Sequence, residues 1–170
     1  MSKPEYRRVI VKVSGEAFSG PDEFGIHAPT IERIVADIVA ARALGVTIGV
    51  VVGGGNLIRG AEAAHEWLSR PTADAMGMMG TVMNALVLEA AIERAGARAR
   101  AMSALSMPQV CETYERQRAL RHLEDNRVEV SEESRPAVLE VLCDECESAL
   151  NFEEFEDTLR KEVLLTIGAR

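Results

Sequence analysis

Aromatic residues are scarce in this sequence, at 4% of its 170 residues, so aliphatic side chains and methionine must fill the core. Cysteine is rarer still, and an odd number of three cysteines is typical of reduced thiols rather than a disulfide framework. No apolar run approaches the roughly 20 residues that a membrane-spanning helix needs. Lys12 and Glu16 also interrupt any signal-like apolar segment near the N-terminus. The sequence therefore predicts a soluble cytoplasmic protein with no membrane partner.

Positive charge is nearly absent from one segment of the chain. Residues 129–157 contain eleven acidic residues and a single basic one, Arg135, whereas the rest of the chain has 16 acidic and 18 basic residues. The whole net charge of −8 therefore comes from this segment, which would repel nucleic acid, so no nucleic-acid partner is expected. The basic residues within 94–127 could meet an anion or form a solvated helix face, which is the commoner arrangement.

Apolar runs alternate with helical patterns along the first 130 residues. Strands are predicted over residues 7–13, 46–52, 97–103 and 127–130. Helices are predicted over residues 30–44, 73–95 and 112–124, the first two ended by Gly45 and Gly96. This alternation predicts an α/β fold, a three-layer sandwich with a mostly parallel sheet. Such sheets bind ligands beyond the carboxyl ends of their strands.

The pattern changes after Val130. Residues 131–170 are predicted to form two acidic helices, with Pro136 in a first turn and Asn151 with Glu154 as a capping box. Cys143 and Cys146 form a C-x-x-C pair, but no second ligand pair has zinc spacing, so a metal or redox role is not favoured. The sequence thus predicts an α/β domain over residues 1–130 and an acidic helical tail of unknown role over residues 131–170.

Residues suited to an anion follow the first two predicted strands. Lys12, with Ser14 and Gly15, can place an ammonium and backbone N–H groups on one anion, or it can be an ordinary strand lysine before a turn. The three glycines of Gly53–Gly55 leave backbone donors open, and Arg59 could bind a phosphate through two N–H groups. The alternative for this second loop is a tight structural turn. Neither stretch matches G-x-x-x-x-G-K-[ST] or G-x-G-x-x-G.

The helix that follows the second loop offers further candidates. Asp74 can cap the helix or accept hydrogen bonds from ribose hydroxyls. Methionines at positions 76, 78, 79 and 83 are predicted to serve helix packing rather than a sulfur site.

Several segments, taken in order, carry a resemblance to a known family. They are "VKVSGEAF", "FGIHAPTIERIV", "GVVVGGGNLIRG", "TADAMGMMGTVMNALVLEAAIERAG" and "MSALSMPQVCETYERQRALRHLEDNRVEV". Together they resemble the bacterial uridylate (UMP) kinases of the amino-acid kinase superfamily over about residues 6–130. The resemblance implies an enzyme of pyrimidine biosynthesis that transfers the γ-phosphoryl group of ATP to UMP with Mg²⁺, giving UDP and ADP. It also implies a homo-oligomer, usually a hexamer, with GTP activation and UTP inhibition in many members.

The resemblance also implies roles for individual residues, by matching position. The residues that resemble ATP contacts are Lys12, Val13, Ser14, Gly15, Gly55 and Arg59. Gly54 and Asp74 resemble UMP contacts, with Asp74 at the ribose. Lys12 and Arg59 would be the catalytic pair that stabilises charge during a largely dissociative transfer. No metal-ligating side chain is implied.

The resemblance stops near Val130. In the family the fourth strand runs into a Gly-Thr-Gly-Asn-Pro-Phe-Phe-Thr-Thr-Asp loop that holds UMP, followed by the part that binds the ATP base and ribose. Neither motif occurs in this sequence. The first expectation is therefore a UMP kinase-like phosphotransferase that is weak or inactive because the donor half is absent. The alternatives are a non-catalytic nucleotide-binding partner or regulatory subunit, and a truncated or frameshifted product.

Overall fold

The computed structural model describes residues 7–58, 68–132, 148–151 and 154. The strands are β1 (Arg8–Val13), β2 (Thr47–Val52), β3 (Ala99–Ser103), β4 (Glu112–Thr113), β5 (Val128–Glu132) and β6 (Ser148–Asn151). The helices are α1 (Glu16–Ser19), α2 (Ala28–Ala43), α3 (Arg70–Arg94) and α4 (Arg116–Glu124).

The six strands form one sheet in the order β4-β3-β5-β2-β1-β6, and every neighbouring pair is parallel. β1 and β2 pair along their whole length, from Arg8 opposite Thr47 to Val13 opposite Val52. The Gly53 N–H then donates to the Val13 carbonyl at 2.9 Å, which extends this register by one residue. Parallel pairing puts the residues that follow β1 and β2 side by side at one edge of the sheet.

Helices cover both faces of the sheet, because side chains of successive strand residues alternate between the two faces. On one face α2 and α3 pack over β1, β2, β3 and β5, and the buried helix residues there are Ile31, Ile34, Val35, Ile38, Ala41, Ala85, Leu88 and Ile92. On the other face α4 places Ala119 and Leu123 against Ile10, Val51 and Met102. The three-layer α/β architecture predicted from the sequence is confirmed.

Local sequence accounts for the ends of the main helices. Ser69 caps α3 by accepting from the Thr72 N–H at 3.4 Å, and Pro71 stands in the first turn, where no amide donor is needed. Gly45 and Gly96 follow α2 and α3 with φ of +89° and +85°, a conformation that favours glycine. The predicted ends of both helices are confirmed at Gly45 and Gly96.

The structure differs from the sequence predictions in three places. The four-residue helix α1 lies between β1 and α2, where no helix was predicted, because Gly15 starts a helical turn in which the Phe18 N–H donates to the Gly15 carbonyl. Residues 112–113 are a short strand beside β3, so α4 begins at Arg116 rather than at residue 112.

The third difference lies in the segment expected to be an acidic helical tail. Ser148–Asn151 is a strand that pairs with β1 in parallel, so the helix prediction is wrong at these four residues. The open edge of β1 supplies unpaired backbone groups, and β6 satisfies them. Residues 133–147, 152–153 and 155–170, which include Pro136 and the Cys143–Cys146 pair, lie outside the described residues.

α3 is long and apolar enough to span a membrane, alone among the helices in the described ranges. A core helix of a soluble protein passes the same test, and α3 packs Ala85, Leu88 and Ile92 into the core beside the sheet.

Candidate functional site

Two loops meet at the carboxyl edge of the sheet. The β1 loop consists of Ser14 and Gly15, and the β2 loop of Gly53–Asn56. A Cβ atom built on Gly15 would lie 2.2 Å from the Gly55 nitrogen and 2.8 Å from the Asn56 nitrogen. No real Cβ approaches backbone so closely, so Gly15 has to be glycine for the two loops to touch.

Gly54 makes a second close contact, with helix α3. A Cβ atom on Gly54 would lie 2.7 Å from the Thr81 nitrogen and 2.9 Å from the Gly77 carbonyl oxygen. Gly80 of α3 lies close to the same loop, because a Cβ atom on Gly80 would lie 3.3 Å from the Gly54 oxygen. The β2 loop is therefore held between the β1 loop and the backbone of α3. This packing alone explains a glycine at position 54.

A pair of buried amides fixes the β2 loop. Asn84 of α3 and Asn56 are 0% and 1% exposed. The Asn84 Nδ2 donates to the Gly53 carbonyl at 2.7 Å and to the Asn56 Oδ1 at 2.6 Å. The Asn56 Nδ2 donates in turn to the Gly25 carbonyl at 2.7 Å, and the Gly25 N–H donates to the Asn56 carbonyl at 2.8 Å. Three segments of the chain are joined through these two side chains.

The backbone N–H groups at the meeting point have no partners of their own within the described part of the chain. Those of Gly15, Gly54, Gly55 and Asn56 donate to no described backbone or side-chain acceptor. Several such donors from two adjoining loops make a surface of backbone N–H groups, which are groups that commonly bind anions. The arrangement is therefore chemically suited to a phosphate group.

Lys12 stands one residue before the end of β1, beside this surface. Ile10 is buried under α4 on the same face of the strand, whereas Lys12 is exposed beyond the reach of that helix. Val13 is fully buried on the opposite face and can contribute only its backbone, and Ser14 is exposed. The Glu16 carboxylate lies on the far side, 3.1 Å from where a Cβ of Gly55 would be. One positive and one negative group thus flank the glycine loops.

Asp74 lies apart from the cap of its helix. Ser69 is the N-cap of α3, so the capping interpretation of Asp74 is wrong. Its Oδ1 accepts from the Arg70 Nε at 2.7 Å in an exposed i, i+4 pair, worth about 0.3–0.5 kcal/mol at most. So weak a pair leaves the carboxylate able to exchange partners. Arg59, the other predicted phosphate ligand, lies outside the described residues.

Several of the basic residues within 94–127, which were predicted to meet an anion or solvent, are paired with carboxylates. Arg94 contacts Glu32 at 2.7 Å, Arg118 contacts Glu115 at 3.5 Å, and Arg100 lies 3.2 Å from Glu89. These contacts agree with the solvated-face interpretation.

Three of the four methionines that were predicted to serve helix packing rather than a sulfur site are partly exposed on α3. Met76, Met79 and Met83 are 39%, 45% and 50% exposed, and their spacing places them on one face of α3. We call these three residues the methionine stripe. A group of exposed apolar side chains on one helix face is typical of a surface that contacts another protein.

Glu129 is a buried acid on the α4 face of the sheet. Its side chain is completely buried, the Ser131 hydroxyl donates to its Oε1, and its Oε2 has no partner among the described residues. Burial raises the pKa of Glu129 to about 8, because a charged carboxylate is poorly stabilised there. Burial, and then the nearby Glu129 charge, raises the pKa of Tyr114 to about 12.

Asn84 and Glu129 are the two polar residues that sequence reasoning missed. A signal existed for Asn84, because it shares the buried face of α3 with Gly80 and Leu88, where an unpaired amide would be costly. Glu129 gave no such signal, since an alternating strand is compatible with one solvated face.

Among the described residues, no three acidic, histidine or cysteine side chains come together in a way that could hold a metal ion.

The chain is similar to known proteins over most of its length. A family model described as the amino acid kinase family matches residues 7–143. The chain is 57% identical over 128 residues to a uridylate kinase of Rhodopseudomonas palustris strain BisA53, covering 75% of this chain and 54% of that protein. It is 60% identical over 123 residues to the uridylate kinase of Azorhizobium caulinodans, covering 72% and 52%. The chain thus spans about half the length of these curated relatives.

Solved structures show the same likeness. The fold matches a UMP kinase from Bacillus anthracis with a TM-score of 0.77 and 26% identity, over 87% of this chain and 64% of that one. It matches a UMP kinase from Ureaplasma parvum with a TM-score of 0.67 and 26% identity, over 74% and 55%.

Proposed function

Because this chain belongs to the amino acid kinase family, we propose that it is a UMP kinase-like phosphotransferase, which transfers the γ-phosphoryl group of ATP to UMP and yields UDP and ADP. The observation that carries the proposal is the contact between the β1 and β2 loops, where Gly15 meets Gly55 and a set of backbone donors remains open. The names of its relatives, all uridylate kinases, supply the nucleotide.

The proposed roles follow the position of each residue around the two loops. Lys12, beside the loops, neutralises charge on the transferring phosphoryl group, together with Arg59. The backbone of Val13, Ser14 and Gly15 contacts the ATP phosphates. Gly55 contacts the phosphate in transfer.

The acceptor nucleotide lies on the α3 side of the loops in this proposal. Gly54, whose backbone is packed on α3, lines the UMP site, and Asp74 exchanges Arg70 for the ribose hydroxyls. ATP enters as its Mg²⁺ complex, so the cation is part of the substrate. The site works by positioning and electrostatics, with no covalent step on the protein.

The runner-up is a non-catalytic nucleotide-binding subunit. The observation that favours it is β6, since a segment of the acidic region adds a strand to the sheet beside β1 and so belongs to the same structural unit. Such a unit could bind UMP without turning it over.

We also propose that the protein is cytoplasmic and forms a homo-oligomer, which in the family is usually a hexamer. The methionine stripe of α3 supports a self-contact, because a helix face can pair with its own copy about a two-fold axis. Burying these side chains would remove from water the largest group of exposed apolar residues on any one described helix.

The decisive experiment is a coupled assay of ADP formation with ATP, Mg²⁺ and UMP, beside calorimetry with each nucleotide alone. We expect turnover that Lys12→Ala lowers at least tenfold, because one charge interaction with the phosphoryl group is lost. Arg121→Ala is the matched control, since it removes one positive charge from an exposed position on α4. UMP binding without turnover would favour the runner-up, and binding of neither nucleotide would exclude both.

A further inference from the structure

The Asn56–Asn84 pair is a buried polar cluster in which every side-chain donor has an acceptor. Asn84 donates twice, to the Gly53 carbonyl and to Asn56, and its Oδ1 accepts from the Asn56 Nδ2 at 3.3 Å. Asn56 donates to the Gly25 carbonyl as well. All four amide hydrogens of the two side chains thus face an acceptor. Only asparagine and glutamine have a side-chain amide, which carries both the two donor hydrogens and the acceptor oxygen that this arrangement uses.

The location of the pair gives it consequences for the loop above. Gly53 and Asn56 are the first and last residues of the β2 loop, and Asn84 contacts both of them. Asn84 also lies one helical turn beyond Gly80, the residue that packs against Gly54. One side chain of α3 therefore sets the separation of the two ends of the loop that presents the Gly54 and Gly55 N–H groups.

We propose that Asn84, acting through Asn56, is a positioning residue that holds the β2 loop in its anion-binding conformation. Without the pair, the loop keeps its glycines but loses the constraint that turns their N–H groups to one side. The proposal rests on the proposed function for the identity of the anion, the phosphate of a nucleoside monophosphate. The loop conformation itself is a property of the chain alone.

The pair also connects the loop to residues 20–27. Gly25 is bonded to Asn56 through both its N–H and its carbonyl, and it lies between Phe24 and Ile26, which are 70% and 41% exposed. Loosening Asn84 is therefore expected to release Gly25 together with the β2 loop, and this gives the experiment a readout that needs no nucleotide.

The test compares Asn84→Asp with Leu88→Ala. The first variant keeps the size of the side chain but replaces two donors by acceptors, so that the Gly53 carbonyl and Asn56 face a carboxyl group. The second removes fully buried packing one turn further along α3 and lowers stability without touching the loop. Amide hydrogen exchange at Gly25 and Gly53 and calorimetric titration with UMP are measured for both variants and the wild type.

We expect Asn84→Asp to lose exchange protection at Gly25 and Gly53 and to bind UMP at least about tenfold more weakly, while Leu88→Ala keeps wild-type affinity. Equal losses of affinity in the two variants would overturn the proposal, because a general loss of stability would then explain both. Retained protection in Asn84→Asp would overturn it whether or not UMP binds. If the wild type fails to bind UMP while Asn84→Asp loses protection, the proposed function fails and the control of loop conformation stands.

Discussion

The buried Glu129 carboxyl group predicts a specific pH dependence of stability. In the unfolded chain its pKa returns to the ordinary value of 4.5, whereas burial holds it at about 8 in the folded protein. The folded state therefore binds the proton more tightly, and the stability that this contributes is complete below pH 4.5. This stability is lost as the pH rises through 8, because the folded protein must then either ionise a buried acid or unfold.

The size of the effect follows from the two pKa values. Each unit of difference corresponds to about 1.4 kcal/mol, so the difference between 4.5 and about 8 amounts to about 5 kcal/mol between pH 4.5 and 8. That loss is comparable to the whole free energy of unfolding of a marginal domain. The pKa of Tyr114, at about 12, keeps that neighbouring hydroxyl protonated throughout, so Tyr114 does not contribute to the change over pH 5–9.

The experiment is urea unfolding of the wild type and Glu129→Gln from pH 5 to pH 9. The glutamine keeps an acceptor for the Ser131 hydroxyl and stays neutral, so its advantage over the wild type is expected to grow by about 1.4 kcal/mol per pH unit and level off above pH 8. Ser131→Ala removes the hydrogen bond that favours the charged form, so the pKa of the folded state rises further. Its loss of stability is therefore expected to begin at the same pH as in the wild type but to continue to a higher pH. Parallel pH profiles for wild type and Glu129→Gln would refute the reasoning.

Two further predictions concern the loops and the surface of α3. Gly15→Ala should displace the β2 loop and abolish UMP binding in calorimetry, because its Cβ would lie 2.2 Å from the Gly55 nitrogen. Gly45→Ala is the control, because its Cβ would meet nothing within 4 Å. Its melting curve should show a loss of only roughly 1 kcal/mol from the unfavourable φ, and it should keep UMP binding. Met79→Lys should dissociate the proposed oligomer in sedimentation experiments, with Glu93→Lys on α3 as control, and an unchanged molar mass would exclude the stripe as the contact.

Much of the fold could be predicted because its signals are local. The β1 and β2 runs are apolar throughout, the α2 pattern repeats at helical spacing, and Gly45 and Gly96 end their helices through a conformation set by the single residue. The placement of the glycine loops at the carboxyl edge of the sheet follows from the same alternation. Roles predicted for Lys12, Ser14, Gly55 and Asp74 remain predictions, although their surroundings suit them.

The errors arose where distant segments decide the outcome. Ser148–Asn151 lies within the segment predicted to form two acidic helices, but the edge of β1 offers it hydrogen bonds that outweigh local preference. Met79 was predicted to serve helix packing, but its side chain is 45% exposed, because the orientation of α3 on the sheet determines which face of the helix is covered.

By itself, the sequence determined the α/β class, the order of the main elements and the two glycine loops, since periodicity and glycine conformation are properties of neighbouring residues. Tertiary structure alone decided that Gly15 touches Gly55, that Asn84 holds the β2 loop and that Glu129 is buried under α4. Each of these facts joins residues far apart in the chain, and such contacts depend on how the layers pack rather than on any local pattern. The backbone donors of the anion surface therefore belong to two separate loops, and these loops meet only because the sheet places β1 beside β2.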